Sequence, residues 1–150
     1  MSGVSGGYFL DTNIWLYAFL ETEAGTSKQQ IARSLIDREG VAVSTQVINE
    51  VCVNLIKKGL LDEAEIQQLV QDFYEGCQVI ELSRQILMNA SELRQRYNFS
   101  FWDSLIIACA LEAGIDTLDS EDMQNGLIVS ECLRIVNPFV EGESIIETEF

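Results

Sequence analysis

One domain fits in 150 residues, and two would be crowded. Twenty-four acids against nine bases and no histidine leave a formal net charge of −15. That excludes imidazole-dependent mechanisms and argues against a plain basic groove for nucleic acid, where Lys and Arg neutralise phosphates. With 47% hydrophobic residues there is ample material for a core, and a disordered chain is excluded.

Residues 1–7 are rich in Gly and Ser and read as a flexible leader, without the charged start and long apolar run of a signal peptide. Tyr8-Phe9-Leu10 reads as a strand, followed by a helix from Thr12 or Asn13 to Leu20. A helix over about Thr26–Arg38 leads to a strand at Val41–Val43 and a helix from Ser44 or Thr45 to Lys58, which Gly59 stops. Asp62–Glu75 is predicted helical, Gln78–Leu82 a strand and Ser83–Arg96 a helix. Ser100–Ala113 reads as a helix closed by Gly114, and Ile115–Leu118 as a strand. A short helical turn is expected from Ser120, and Cys132–Val136 forms a last strand. Strands separated by helices imply parallel crossovers, hence an α/β sandwich with about five strands. The domain is expected to span residues 8–138. Beyond Pro138, residues 139–150 read as an acidic tail with four glutamates and no base.

The four cysteines, Cys52, Cys77, Cys109 and Cys132, form no CxxC pair, which argues against a structural zinc site or redox dithiol. Cys52 and Cys109 lie in apolar helical patterns, where free Cys behaves as a small hydrophobe, so reduced thiols and a cytoplasmic location are expected. The longest apolar run, Leu105–Leu111, is too short to span a bilayer, so no membrane partner is expected.

Four acids fall near strand ends. Asp11 follows the first strand and Asp122 lies just beyond Ile115–Leu118, while Glu50 and Asp103 sit in helices after strands. In an open parallel sheet, ligands bind outside the carboxyl ends of the strands. Four clustered acids without a cation would repel, so such a cluster implies a divalent metal or raised pKa values. Each acid also has a purely structural reading. Asp103 can sit at the third position of a helix capped by Ser100. It lies, however, in a helix apolar almost all round, which points to an inward carboxylate. Glu50 falls off its helix's apolar stripe and reads alone as a solvated glutamate. Ser120 with Glu121 and Asp122 fits an N-cap followed by acids favoured by the helix dipole, and Asp11 can initiate a turn.

Taken together, the segments resemble a known family. Phe9-Leu10-Asp11-Thr12-Asn13 looks like the opening motif of PIN-domain ribonucleases, and Ser44–Glu50 is similar to their second. Ser100-Phe101-Trp102-Asp103 resembles the third motif, and Leu118–Gln124 the fourth, where a hydroxyl residue precedes an acid by two positions. The match runs in order over residues 8–136, and chain length most resembles the VapC-type toxins of bacterial toxin–antitoxin pairs. The resemblance implies a PIN-like three-layer sandwich with Asp11, Glu50, Asp103 and Asp122 as catalytic, metal-site acids. Asn13 and Ser120 would support them. Asp119, Glu121 and Asp122 crowd together; the family pattern favours Asp122, with Glu121 next. The resemblance also implies a homodimer and a small antitoxin lying across the site.

An all-oxygen ligand set selects Mg²⁺ or Mn²⁺ over zinc, as one or two ions, and the expected reaction is hydrolysis of an RNA phosphodiester. Lys57, Lys58, Arg94 and Arg96 are candidates for RNA contact, although all four also fit as helix C-terminal charges complementing the dipole. Residues 112–150 carry ten acids and one base, whereas residues 24–58 have five bases against three acids, so RNA is expected to approach from the earlier elements. Other readings are a PIN nuclease of RNA processing outside toxin–antitoxin systems, a partner-binding PIN scaffold, a dehalogenase-like phosphatase and a Mg²⁺-binding receiver domain. Asn13 stands where the phosphatase needs a second Asp, and Leu133–Asn137 lacks the lysine a receiver needs.

Overall fold

The computed structural model describes residues 6–20 and 26–140. Most of the expected leader and residues 141–150 of the expected tail lie outside that range. In chain order the elements are β1 (Tyr8–Leu10), α1 (Thr12–Phe19), α2 (Thr26–Ile36), β2 (Val41–Ser44), α3 (Thr45–Lys57) and α4 (Glu63–Gly76). They continue with β3 (Gln78–Ile80), α5 (Arg84–Arg96), α6 (Phe101–Glu112), β4 (Thr117–Asp119), β5 (Ile128–Val129) and β6 (Leu133–Val136).

The strands form one sheet in the order β3-β2-β1-β4-β6-β5, parallel throughout except for the β5–β6 pair. β1 lies inside the sheet, with the chain winding outward through β2 to β3 and returning to β4 on its other side. Right-handed crossovers then place α1 to α4 on one face and α5 with α6 on the other. The packing agrees: α1 rests on α2 and α3, α3 on α4, and α5 on α6. This is the expected three-layer α/β sandwich, with six strands rather than about five.

Local sequence explains the main elements. β2 is a continuous buried run, as a central parallel strand covered on both faces requires. In α6, Ser104 and every residue from Ile106 to Ala110 are buried, so this helix runs through the core as its all-round apolar wheel predicts. Truncating Ile106 or Ile107 to Ala should cost about 2–5 kcal/mol. Serine or aspartate side chains cap α3, α4, α5 and α6, with a full capping box only at Asp62 and Glu65. Where β1 enters the sheet, Gly7 has φ +107°, and a Cβ there would lie 2.9 Å from the Gly40 carbonyl oxygen. Glycine is required there for the close approach that lets the Tyr8 N–H reach that carbonyl.

Two local expectations are corrected, and one strand is added. No helical turn starts at Ser120. The Ser120 hydroxyl does accept from the Met123 N–H, but the Glu121 carbonyl is taken by Asn137 Nδ2 at 3.1 Å, and residues 121–123 form a bend. β4 begins at Thr117 rather than Ile115, because Ile115 N–H still donates to the Ala110 carbonyl and closes α6. β5 was not anticipated; it pairs antiparallel with β6 through a turn whose Ser130 and Glu131 adopt φ of 52° and 61°.

Candidate active site

β1 and β4 are neighbours with Leu10 opposite Asp119, so the residues after them, Asp11 and Ser120, leave the sheet side by side. This is the switch point of the sheet, where the chain departs in opposite directions and a crevice forms. A cavity of about 220 Å³ opens there. Asp11, Thr12, Asn13 and Leu16 line it from the start of α1, Glu50 and Asn54 from α3, Trp102 and Asp103 from α6, and Asp122 from the loop after β4.

Each acid is held by its own local structure. Asp11 is buried and is the N-cap of α1; its Oδ1 accepts from the Thr12 N–H at 2.7 Å and its Oδ2 from the Ser120 hydroxyl at 2.9 Å. Asn13 Nδ2 donates to Asp122 Oδ2 at 2.9 Å, tying the α1 motif to the loop. Asn54 Nδ2 donates to the Glu50 carbonyl at 2.9 Å and to its Oε2 at 3.3 Å, one turn along α3. The Ser100 hydroxyl accepts from the Asp103 N–H at 3.0 Å. Asp103 thus belongs to both the cap and the cavity: its N–H completes the helix start, and its side chain, which Ser100 also hydrogen-bonds, lies at the cavity wall.

The acidic run is sorted by its partners. Asp119, almost fully buried, pairs with Arg38, whose guanidinium lies over the Tyr8 ring. Glu121 pairs with Lys28 and accepts from the Tyr17 hydroxyl at 2.9 Å, while Lys28 sits against the Tyr17 and Phe139 rings. Asp122 alone of the three lines the cavity.

No Lys or Arg lines it either. Burial raises the Asp11 pKa above the ordinary carboxylate value; the Thr12 and Ser120 hydrogen bonds oppose that rise, and the charges of Asp103 and Asp122 add to it. Burial likewise raises that of Asp103, opposed by Ser100 and reinforced by Asp122. The cavity therefore concentrates uncompensated negative charge, which a cation would relieve. The donors are all oxygens, suited to a hard divalent ion. Among the described residues no three acid or Cys side chains converge closely enough to cage an ion. Mg²⁺ is commonly held by one or two carboxylates plus waters and substrate phosphate, so the donor set fits an open site of that kind. Thr12 Oγ1 is a buried oxygen without a partner among the described residues, as a site missing a water or ligand leaves it.

The four cationic candidates do not line this cavity. Arg94 donates to Ser104 Oγ at 2.7 Å and lies over the Phe101 ring, joining α5 to α6. Arg96 lies 5.6 Å from the Tyr97 ring centroid, and Lys57 and Lys58 are exposed at the end of α3. Lys28 and Arg38, two of the five bases in residues 24–58, are occupied by Glu121 and Asp119. Asn54, Trp102, Thr12 and Leu16 also line the cavity, and of these only Asn54 carries a signal in the sequence, its spacing of four from Glu50.

The family model for the PIN domain matches residues 8–124. The chain belongs to the PIN-domain family, a family of nucleases. No curated protein matches it. Among solved structures it is similar to a toxin–antitoxin complex from Klebsiella pneumoniae, with 20% identity and a TM-score of 0.66 over 88% of this chain and 98% of that one. It is similar to Mycobacterium tuberculosis VapC20, described as a Sarcin–Ricin loop cleaving toxin, with 20% identity and a TM-score of 0.59 over 75% and 87% of the two chains. It also resembles VapBC2 from Rickettsia felis bound to a promoter DNA fragment, with 22% identity and a TM-score of 0.60 over 87% and 97%. At these identities the likeness is one of fold. No helix among the described residues is long and apolar enough to cross a membrane.

Proposed function

We propose that this protein is a Mg²⁺- or Mn²⁺-dependent endoribonuclease and the toxin of a bacterial type II toxin–antitoxin pair. The observation carrying this reading is the assembly of four acids from four chain segments around one cavity that no cation lines. Asp11, Glu50, Asp103 and Asp122 are the proposed ligands for one or two ions. A divalent ion held by these residues would supply a more acidic water and charge neutralisation at the scissile phosphate. Ser120 and the Thr12 N–H orient the Asp11 carboxylate, Asn13 orients Asp122, and Asn54 orients Glu50. Glu121 supports the loop through Lys28 and Tyr17.

The toxin reading is supported by similarity of fold to proteins described as toxins or toxin–antitoxin complexes. With it come a small antitoxin, a homodimer and a cytoplasmic setting. A basic antitoxin side chain entering the cavity would take the place of the metal charge. A PIN nuclease of RNA processing has the same site, and a small antitoxin gene beside this one separates the two. The test is a sequencing map of RNA ends after induction of the protein. New ends that the Asp11→Ala variant does not produce are expected; identical maps for both proteins contradict the reading.

A further inference from the structure

A second cavity, of about 270 Å³, shares Asp103 and Asp122 with the acid cavity, so the two meet at those carboxylates. Its remaining wall includes Tyr97, Asn98, Phe99, Met123 and Gln124. The Tyr97 and Phe99 rings stack with centroids 5.1 Å apart and planes 20° from parallel. The Tyr97 hydroxyl is fixed by accepting from the Ser130 N–H at 2.9 Å. Asn98 and Gln124 are exposed, and their carboxamides make no hydrogen bond among the described residues.

This wall joins a braced aromatic stack to two amides with free donors and acceptors. Unpaired bases are recognised by such surfaces, through stacking on aromatic rings and hydrogen bonding along base edges. Asn and Gln carboxamides match a base edge that offers a neighbouring donor and acceptor. An apolar side chain from a protein partner would instead bury both amides unsatisfied. We propose that this cavity seats the unpaired nucleobase next to the scissile phosphate, with Asn98 and Gln124 reading its edge and so setting the nucleotide preference of cleavage. The inference rests on the ribonuclease reading above. Sharing Asp103 and Asp122 places the base beside the reacting group, which a distant docking face would not do.

The test uses the full chain with Mn²⁺ and a random-sequence RNA pool, comparing wild type with Asn98→Ala, Gln124→Ala and Phe99→Leu. Both amide positions are exposed, so the folded state should survive, and thermal melts check it. Wild type should show a nucleotide bias at one position beside the cut. Asn98→Ala or Gln124→Ala should flatten that bias and lower kcat/KM on the preferred sequence mainly through KM. Phe99→Leu in an Asp11→Ala background should weaken binding of a single-stranded hexaribonucleotide roughly 10-fold, the scale of one base–aromatic stack. Cleavage with the same bias and rate in all variants overturns the inference and leaves the ribonuclease reading intact. Variants that lose only binding to a protein partner overturn it as well. If wild type cuts no RNA, the ribonuclease reading fails; hexaribonucleotide binding that depends on Phe99 then still supports the base seat, and its absence overturns it.

Discussion

Ser120 Oγ donates a 2.9 Å hydrogen bond to Asp11 Oδ2, joining residues 109 apart in sequence at the adjacent ends of β1 and β4. The pair exists because these strands are parallel neighbours in register, and it fixes one Asp11 oxygen while the Thr12 N–H fixes the other. Ser120→Ala removes a hydrogen bond that favours the ionised carboxyl, so the Asp11 pKa should rise further. Mn²⁺ affinity by calorimetry should fall roughly 10-fold, the usual scale for a partner that orients a ligand. Stability should drop by about 1 kcal/mol. Unchanged Mn²⁺ affinity would show that Asp11 does not depend on this contact.

The metal-free protein should be least comfortable with its site at neutral pH. Asp11 and Asp103 both have raised pKa values in the folded state, so folding takes up protons between the ordinary carboxylate value and those raised values. Their contribution to stability is therefore present at low pH and is lost as pH rises through the folded-state values. Asp11→Asn should flatten that decline and raise the metal-free Tm at pH 7.5 by roughly 2–5 °C, on the scale of about 1 kcal/mol in a domain of this size. Saturating Mn²⁺ should reverse the order, because wild type gains a ligand that the variant lacks. Parallel pH profiles for the two proteins would contradict this electrostatic picture.

The acids at positions 119, 121 and 122 should separate by role. Asp119→Asn weakens the pair between a buried carboxylate and the half-buried Arg38 and should cost about 1.5–3 kcal/mol in denaturant melts. Glu121→Gln weakens a partly exposed pair with Lys28 and should cost under about 1 kcal/mol. Asp122→Asn should change stability little while abolishing Mn²⁺-dependent cleavage. Full cleavage by Asp122→Asn with loss in Glu121→Gln would reverse the assignment.

Much of this was legible in the sequence. Apolar runs located β1 and β2, and caps and glycines marked helix ends to within a residue or two, because hydroxyl caps and left-handed stops are local signals. β5 escaped because it is two residues long and its turn uses Ser130 and Glu131 at positive φ instead of the glycine or asparagine that usually announces such a turn. Glu50 looked like a surface residue because a helical wheel records the stripe facing the core and not a cavity beside it. Asp103 could be read as a cap residue or as an inward carboxylate, and the structure places it in both settings, at the start of α6 and on the cavity wall. The fates of Asp119 and Glu121 were not legible, because their partners Arg38 and Lys28 lie 81 and 93 residues away along the chain.

The central claim is that the four acids around one cavity form a metal-dependent ribonuclease site, and in vitro RNA cleavage tests it most directly. Purified wild-type protein should cut single-stranded RNA with Mn²⁺ or Mg²⁺ and stop on addition of EDTA, while Asp11→Ala and Asp103→Ala, folded by their melting curves, should be inactive. Cleavage that persists in EDTA and in both variants would contradict the account.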